Sequence, residues 1–419
     1  MTPISTLLRW FLPVLVLTIY STASYAQVPS IDILGTVIDA QTKKPLAKAS
    51  VYMDRTQRGT LSIDDGRFAL KNIPTGNYRL VVSYVGYRTV SVPVNEQSAW
   101  PLTIEMQRDE QALNEVVIKQ NDNFEEYLGL FKMFFLGNNG LQCTIKNPRV
   151  LTLDYDRKTY VLTGRARQPL VIENQFLGYR VYYDLTSFSH YPGRTSYTGF
   201  SHFEVLQPAD SKQANKWKAN RENAYLGSFN QFMQSMVDHR LKEDGFVLKK
   251  LAKTKSFSGN HPVVERWTGN EHKAPDTLIS LRWNGIDYEP QDTTILDTTA
   301  KIWGSKAGYN VLFPQPVPYD SVLVKTYNVG RYLLNFSHSL FVTYKNKKIS
   351  NAAPGYGGDS GQPVFPISIL SVLKPKTSVD IFGNLADPNA VIHEGYWATL
   401  RVADQLPDDY RPEATNTGK

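Results

Sequence analysis

The segment Asp64-Asp65-Gly66-Arg67-Phe68-Ala69-Leu70 combines a tight turn with the start of an alternating apolar pattern. Aspartate tolerates a turn, and glycine supplies the positive φ that a short hairpin connection requires. The side chains of Phe68 and Leu70 share one face of a strand, because successive side chains alternate. The segment therefore predicts an antiparallel hairpin with one buried face.

Similar short segments continue on both sides of this hairpin, over residues 31–106. Lys43-Lys44-Pro45, Pro74-Thr75-Gly76 and Gly86 separate them. The further candidate strands are Val37-Ile38, Ala49–Met53, Tyr78–Tyr84 and Val90–Val94. About seven strands fit this spacing, which is typical of an antiparallel sandwich. We expect residues 31–106 to form an Ig-like or transthyretin-like β-sandwich.

A set of short motifs in this unit resembles the carboxypeptidase regulatory-like domain of exported Bacteroidetes proteins. The motifs are Gly35-Thr36-Val37, Asp39, Lys44-Pro45-Leu46, Ala49-Ser50-Val51, Gly59-Thr60, Asp65-Gly66-Arg67-Phe68, Gly76-Asn77-Tyr78 and Val85-Gly86-Tyr87. The resemblance implies the fold of an accessory domain that precedes unrelated partner domains. It implies no peptidase activity, since no His in the chain has Glu three residues later, as the zinc pair of those enzymes would require.

The segment after the sandwich, residues 107–122, is expected to be a linker. Within it, Ala112–Ile118 is similar to the stretch that precedes the plug of TonB-dependent receptors. Such a receptor needs a barrel of about 22 strands. Roughly 300 residues follow this segment, which is too few for that barrel, so we favour an interdomain strand.

The first 26 residues have the pattern of a cleavable secretory signal. Arg9 is their one charged residue, an apolar stretch runs from Trp10 to Tyr20, and Ser24-Tyr25-Ala26 precedes Gln27. An N-terminal membrane anchor is the alternative, but about 11 apolar residues fall short of the roughly 20 that span a bilayer. We expect export to the periplasm or the outer-membrane-associated cell surface, with no transmembrane segment in the mature chain.

The composition of the chain excludes several classes of protein. There are 46 Lys+Arg and 39 Asp+Glu among 419 residues, a net charge of +7 that is too dilute for a dedicated nucleic-acid binder. One cysteine excludes an internal disulfide, and we expect the unpaired Cys143 thiol to be buried rather than reactive. The hydrophobic fraction of 42% supports two or three packed domains.

Residues 123–410 predict a larger, antiparallel β-rich α+β domain, so the whole chain is expected to be mainly β with a few helices. Phe124, Leu128, Phe131 and Phe135 recur at helical spacing and predict an apolar helix face over 123–136. Alternating strands follow from 150 to 205. Further helices are expected near 211–241, broken near Gly227, and near 395–406. The basic end of the 211–241 segment could meet an anionic membrane, but we favour a solvated face.

The C-terminal part also resembles the second region of the same exported proteins. The shared motifs are Asn147-Pro148, Pro169-Leu170, Glu173-Asn174, Leu177-Gly178-Tyr179, Gly227-Ser228-Phe229, Gly395-Tyr396-Trp397 and Leu406-Pro407 with Tyr410. This resemblance implies the architecture and the cellular compartment, but it implies no enzymatic reaction.

One motif suggests a catalytic nucleophile. The segment Gly357–Pro363 is similar to the sequence around the nucleophilic serine of trypsin-like proteases, so Ser360 is a candidate nucleophile. A catalytic triad also needs a base and an acid. The histidines that precede Ser360 lack the flanking sequence that is typical of the histidine in trypsin-like proteases. These histidines include His190, His202, His239, His261 and His272. We favour a glycine-rich surface loop.

The sequence contains no zinc or nucleotide motif, so we expect no metal and no cofactor. Asp154-x-Asp156 and Asp408-Asp409 could touch calcium, but they lack the five or more oxygen ligands of a defined site. We interpret both as turn or helix-end acids. A binding or scaffolding role in the cell envelope, with other envelope proteins or glycans as partners, fits these features best.

Two alternatives remain. One is an exported hydrolase acting on peptides, esters or glycosides, with a site assembled in the C-terminal domain; Asp287, Glu289 and Asp292 could supply its acid and base. The other is a glycan-binding protein that uses exposed Tyr and Trp side chains.

Overall fold

A computed structural model describes residues 29–95, 97–109, 123–192, 194–255, 263–264, 281–283, 286–288, 301–305, 308–327, 331–336, 338–349 and 365–413. It confirms the predicted fold class: the chain is mainly β with a few helices, and an Ig-like sandwich lies at its N-terminal side. The predicted signal segment, the end of the predicted linker (110–122) and Ser360 lie outside the described residues.

The N-terminal sandwich consists of two small sheets packed face to face. Its strands are Ser30–Asp39 (β1), Ser50–Met53 (β2), Gly59–Leu61 (β3), Arg67–Pro74 (β4), Tyr78–Ser83 (β5), Val90–Val94 (β6) and Leu102–Met106 (β7). One sheet has the order β4-β1-β7 and the other β3-β2-β5-β6. Gly66, at φ 76°, lies in the predicted turn, where its N–H donates to Ile63 O at 2.8 Å. The prediction of a hairpin is wrong, because β3 and β4 on either side of this turn belong to different sheets.

The prediction of a purely antiparallel sandwich is wrong at one pair of strands. β7 runs parallel to β1, with Val37 opposite Ile104. The long connection that returns the chain from β6 allows this, whereas a tight turn would force an antiparallel pair. The core between the sheets contains Val37, Val51, Leu80 and Ile104, all buried.

The second unit is a six-stranded antiparallel sheet covered by a helix. Its elements are the helix Phe124–Leu136 (α1) and the strands Cys143–Ile145 (β8), Leu151–Asp156 (β9), Val161–Ala166 (β10), Leu170–Asn174 (β11), Tyr179–Tyr191 (β12) and Arg194–Val205 (β13). β12 is long enough to pair with β11, β10 and β13. The predicted apolar stripe of α1 is confirmed as core, because Leu128, Phe131 and Phe135 are buried against the sheet.

Two helices follow this sheet, as the expected break near Gly227 predicts. They are Ser211–Tyr225 (α2) and Phe229–Val237 (α3), separated by Gly227 at φ 77°. Asp210 caps α2 by accepting from Gln213 N at 2.7 Å, and Ser228 caps α3 by accepting from Gln231 N at 3.1 Å. The second helix ends at Val237, four residues before the expected boundary at 241.

The rest of the chain builds a third sheet and two smaller ones. The strands are Phe246–Lys255 (β14), Val263–Val264 (β15), Leu281–Trp283 (β16), Ile286–Tyr288 (β17), Lys301–Ser305 (β18), Gly308–Pro316 (β19), Leu323–Lys325 (β20), Arg331–Leu334 (β21), Ser339–Tyr344 (β22), Ile367–Val372 (β23), Thr377–Asp380 (β24) and Val391–Gly395 (β25). The six-stranded order is β18-β19-β14-β22-β23-β25, and β20-β21-β24 and β15-β16-β17 form the small sheets. A short helix, Tyr396–Thr399 (α4), and a 3₁₀ turn, Val402–Asp404, occupy the region near 395–406.

Several of the C-terminal motifs noted in the sequence lie at the joints between these units. Asn174 donates to Ala403 O at 2.9 Å, and the indole Nε1 of Trp397 donates to Gly227 O at 2.8 Å. Gly178 has φ 71°, and a Cβ there would lie 2.3 Å from Trp217 Cδ2. Close packing against α2 therefore requires glycine at this position.

Candidate functional site

The loop after β2 joins the sandwich to the rest of the molecule. Arg55 N donates to Ser201 O at 2.7 Å, and Phe203 N donates to Thr56 O at 3.0 Å. These bonds extend β13 with residues of the sandwich, so that Thr56 pairs with His202. The loop therefore lies as an added strand segment along the second sheet.

An ion pair fixes the same loop to the C-terminal segment. Arg55 Nη2 lies 2.9 Å from Asp408 Oδ1, and the Arg55 and Asp408 side chains are 38% and 15% exposed. Asp408 N also donates to Arg55 O at 2.7 Å, and Asn230 Nδ2 donates to Asp408 Oδ1 at 3.3 Å. Next to it, Asp409 accepts from Gln57 N at 3.2 Å.

Three further hydrogen bonds hold the sandwich against the rest of the molecule. Asn77 N donates to Asp380 Oδ2 at 3.1 Å, and Arg331 Nη1 donates to Asn77 Oδ1 at 3.1 Å. Thr89 Oγ1 donates to Asp184 Oδ2 on β12. We call the whole set of contacts made by residues 54–58, 77 and 89 the junction.

A partly open cavity of about 360 Å³ lies beside the junction, and Asp54 and Arg55 form part of its wall. Its walls come from all parts of the fold: Asp54, Arg55 and Arg79 of the sandwich; Tyr183, Tyr197, Thr198, Gly199, Phe200, Ser201 and Phe203 of β12 and β13; Ala224, Ser228, Phe229 and Asn230 of α2 and α3; and Asn389, His393, Trp397, Leu400, Asp404, Gln405 and Leu406 of the C-terminal segment. Small-molecule sites prefer such places between structural units. We call it the junction cavity.

Asp54 is the acid of the sandwich that lines this cavity. Its Oδ1 accepts from Ser201 N at 2.9 Å. Burial raises the pKa of Asp54 from 3.8 to about 6, since the charged form loses its water. The carboxyl group therefore titrates near neutral pH.

His393, on β25, lies between two aromatic rings of the same cavity. Its ring centroid is 4.3 Å from that of Phe229 and 5.6 Å from that of Trp397. Burial lowers the pKa of His393 from 6.5 to about 4, so the imidazole is neutral at pH 7. Within the described part of the chain, its buried Nε2 has no hydrogen-bond partner.

Asp404 is a second acid on the wall. It accepts from Asn139 Nδ2 at 2.5 Å, and burial raises the pKa of its carboxyl group above the usual value. The neighbouring Gln405 donates to the hydroxyl of Tyr197 at 3.3 Å. This side of the cavity thus offers polar groups held in place by hydrogen bonds.

A small cavity of about 60 Å³ lies beside the junction cavity and shares Arg55, Phe229, Asn230 and His393 with it. Asp408 and Arg411 line this smaller space. A separate cavity of about 720 Å³ is lined by residues of β14, β19 and β22 and of neighbouring loops, among them Phe313, Phe336 and Leu340. Its walls are mainly apolar side chains.

Several of the catalytic candidates proposed from sequence motifs lie in parts of the chain that the structure does not describe. Ser360, Glu289, Asp292, His261 and His272 lie outside the described residues, and Asp287 stands on the short strand β17. Among the other histidines, His190 stacks on Phe134, His202 contacts Tyr52, and His239 contacts Tyr319.

The acid pairs have separate structural roles. Asp156 is a turn acid, as expected, since it accepts from Lys158 N at 2.8 Å. Asp408 and Asp409 also stand in a turn, as expected, in which Tyr410 N donates to Pro407 O at 3.0 Å. In addition, both side chains bind the sandwich loop. No group of three or more His, Cys, Asp or Glu side chains suited to a metal occurs among the described residues.

Cys143 is half-buried, and burial raises the pKa of its thiol to about 12. At neutral pH the thiol is therefore protonated and a poor nucleophile.

Asp54, Arg55, Asp404 and His393 were not predicted as site residues from the sequence. No local signal marks them, because the site forms between distant segments, as the pairing of Arg55 with Asp408, 353 positions away, illustrates.

Comparison with known proteins supports the N-terminal assignment. Residues 33–118 match the family model of the CarboxypepD_reg-like domain, which confirms the resemblance of this unit. The TonB-dependent receptor P39 of Formosa agariphila is 32% identical over 87 residues, which are 21% of this chain and 8% of that receptor. The chain thus matches a small part of that receptor.

A solved 9R-lipoxygenase from Cyanothece PCC8801 aligns at a TM-score of 0.13 and 10% identity, over 54% of this chain and 52% of that one. A score this low carries no inference about fold or function. Among the described residues, no helix is both long and apolar enough to cross a bilayer.

Proposed function

We propose that this chain is an exported, non-enzymatic component of the cell envelope that binds a ligand in the junction cavity. The observation that carries the proposal is the cavity itself, which has walls from the sandwich, the second sheet and the C-terminal segment. The regulatory-like domain and the similarity to part of a TonB-dependent receptor support an envelope context. Envelope proteins or glycans are the corresponding partners.

The junction gives this role a physical basis. The sandwich is fixed by the ion pair of Arg55 and Asp408 and by the bonds of Asn77, so it holds one wall of the cavity in place. A wall that is already rigid reduces the conformational entropy that is lost when a ligand binds. The domain therefore acts as part of the binding site rather than as a tethered appendage.

The test combines localisation with capture. The full chain, expressed in its native host, should fractionate with the envelope, and chemical cross-linking there should recover a reproducible partner or glycan. Asn389→Leu, which places an apolar side chain at the exposed rim of the cavity, should reduce that recovery. Asn335→Leu, at the separate 720 Å³ cavity, is the matched control. Cytoplasmic recovery, or equal capture by both variants, would contradict the proposal.

A hydrolase acting in the same cavity is the second candidate, and one observation favours it. Asp54 has a pKa near 6, as a general acid requires, and it shares the cavity with a second acid, Asp404. A panel of peptide, ester and glycoside substrates tests this directly. Turnover abolished by Asp54→Asn would establish the hydrolase, and turnover abolished by Ser360→Ala would place the reaction at the glycine-rich segment. Absence of turnover supports the binding role.

A further inference from the structure

We infer that the ligand of the junction cavity is a neutral sugar, held by aromatic rings and by the unpartnered imidazole of His393. This inference rests on the proposed function, because it names the ligand class of the same cavity. Three properties of the walls support it: their balanced charge, their aromatic surface and their free hydrogen-bonding capacity.

The formal charges around the cavity and its small neighbour cancel. The charged residues that line the two spaces are Asp54, Asp404 and Asp408 with Arg55, Arg79 and Arg411. Arg55 is paired with Asp408, and the charge of Arg79 acts on Asp54. A strongly anionic or cationic ligand would meet no net opposite charge on these walls to compensate its own. The walls therefore suit a ligand without net charge.

Several aromatic rings are only partly covered by protein. Tyr197, Phe200 and Phe229 are half-buried and line the cavity, whereas Trp397 is buried and already uses its indole N–H on Gly227. The guanidinium of Arg79 lies 5.9 Å from the centre of the Phe200 ring. The flat C–H face of a sugar ring can pack against such rings, since they present large apolar surfaces with polar groups nearby.

The hydrogen-bonding groups match hydroxyls. His393 is neutral, so one ring nitrogen donates and the other accepts, and its Nε2 is buried without a partner among the described residues. A sugar hydroxyl both donates and accepts, and it therefore satisfies either tautomer. An unsatisfied buried polar atom costs free energy, which a ligand hydroxyl would recover.

The remaining amides extend this polar surface. Asn389 stands exposed at the rim, and Asn230 and Gln405 lie on the walls. The volume of about 360 Å³ is at the lower end of the usual range for small-molecule sites, about 300–1,000 Å³. It suits one or two sugar rings rather than a long chain.

Calorimetric titration of the full chain tests this ligand class. The probes are neutral mono- and disaccharides (glucose, galactose, N-acetylglucosamine, lactose and maltose), with glucuronate, free amino acids and short peptides as comparisons. We expect at least one neutral sugar to bind and the charged probes to bind at least about tenfold more weakly, which is 1.4 kcal/mol. Saturation-transfer NMR should show contact between sugar ring protons and aromatic protons.

Variants locate the binding. His393→Leu should weaken sugar binding at least about tenfold, as expected for the loss of one buried hydrogen bond. If His393→Leu fails to fold, Asn389→Leu at the exposed rim tests the same cavity. Asn335→Leu should bind like the wild type.

The outcomes separate this inference from the proposed function. Binding of an amino acid, a peptide or an acidic sugar that His393→Leu or Asn389→Leu abolishes would overturn the sugar assignment and leave the proposed function standing. Sugar binding that neither variant alters would also overturn the assignment. Failure of every probe, together with unchanged capture of envelope partners by Asn389→Leu, would overturn both.

Discussion

Asp54 shows how the junction changes the chemistry of one residue. The folded chain removes its carboxyl group from water and gives it one backbone donor, Ser201 N. Its pKa rises from 3.8 to about 6, so the folded state favours the protonated form relative to the unfolded state. The resulting stabilisation is fully present below about pH 4 and is lost as the pH rises through about 6.

Asp54→Asn should remove this dependence. The amide oxygen of asparagine can still accept from Ser201 N, but the side chain no longer ionises. The free energy of unfolding of the wild type should therefore fall, relative to the variant, by the order of 2 kcal/mol between pH 4.5 and pH 7.5. Urea unfolding at the two pH values measures it.

Asp154→Asn, on an exposed position of β9, is the control for this comparison. It should leave the difference between the two pH values as in the wild type. A variant Asp54→Asn that loses stability equally at both pH values would show that the carboxyl group does not titrate in this range.

At the scale of secondary-structure elements, Gly178 and Gly129 have opposite effects on the stability of the fold. Gly178 lies between β11 and β12 with φ 71°, and a Cβ there would meet the Trp217 ring of α2 at 2.3 Å. Gly129 lies within α1, and a Cβ there would meet nothing within 4 Å. The first is required by packing, and the second weakens its helix.

Gly178→Ala should therefore lower the free energy of unfolding by at least about 2 kcal/mol, because the new methyl group is both strained and crowded. Gly129→Ala should raise it by roughly 0.5–1 kcal/mol, since alanine loses less backbone entropy in a helix. Chemical denaturation of both variants provides the measurement. Equal effects of the two substitutions would contradict the packing role of Gly178.

The sequence could predict these elements because their causes are local. The spacing of Phe131 and Phe135 indicates α1, Asp64-Asp65-Gly66 indicates the turn before β4, and Gly227 indicates the break between α2 and α3. The parallel pairing of β7 with β1 was not predictable in the same way. Strand direction within a sheet depends on the path of the connection, and the alternating pattern of β7 is the same in either direction.

At the scale of the whole molecule, the ion pair of Arg55 and Asp408 joins residues 353 positions apart. Neither residue has a sequence motif that indicates a partner, and Asp408-Asp409 resembled an ordinary pair of turn acids. Long-range pairing of this kind follows from how complete units pack. This is why the fold class could be predicted from the sequence, whereas the junction cavity could not.

Arg55→Met should loosen the sandwich. The substitution leaves Asp408, which is 15% exposed, without its cation and should cost about 1–3 kcal/mol of stability. In this variant, hydrogen exchange should become faster at the backbone amides of positions 55 and 203, which donate across the junction. Mass spectrometry of the exchanged protein measures this effect.

Lys43→Met is the matched control, because Lys43 pairs with Glu105 on the surface of the sandwich, where both side chains are at least half exposed. It should change stability by less than about 0.5 kcal/mol and leave the exchange at the junction unaltered. Similar exchange in both variants would argue that the backbone bonds alone hold the sandwich.

The long separation of Arg55 and Asp408 also sets an order of assembly. The sandwich can fold as soon as its own strands are available, but its docking must wait for residues near 408 to be synthesised and, in an exported chain, translocated. Until then the surface that carries Asp54 faces solvent, and the junction cavity has not formed. A fragment that ends before residue 408 therefore retains the sandwich, but it lacks the C-terminal contacts that complete the junction.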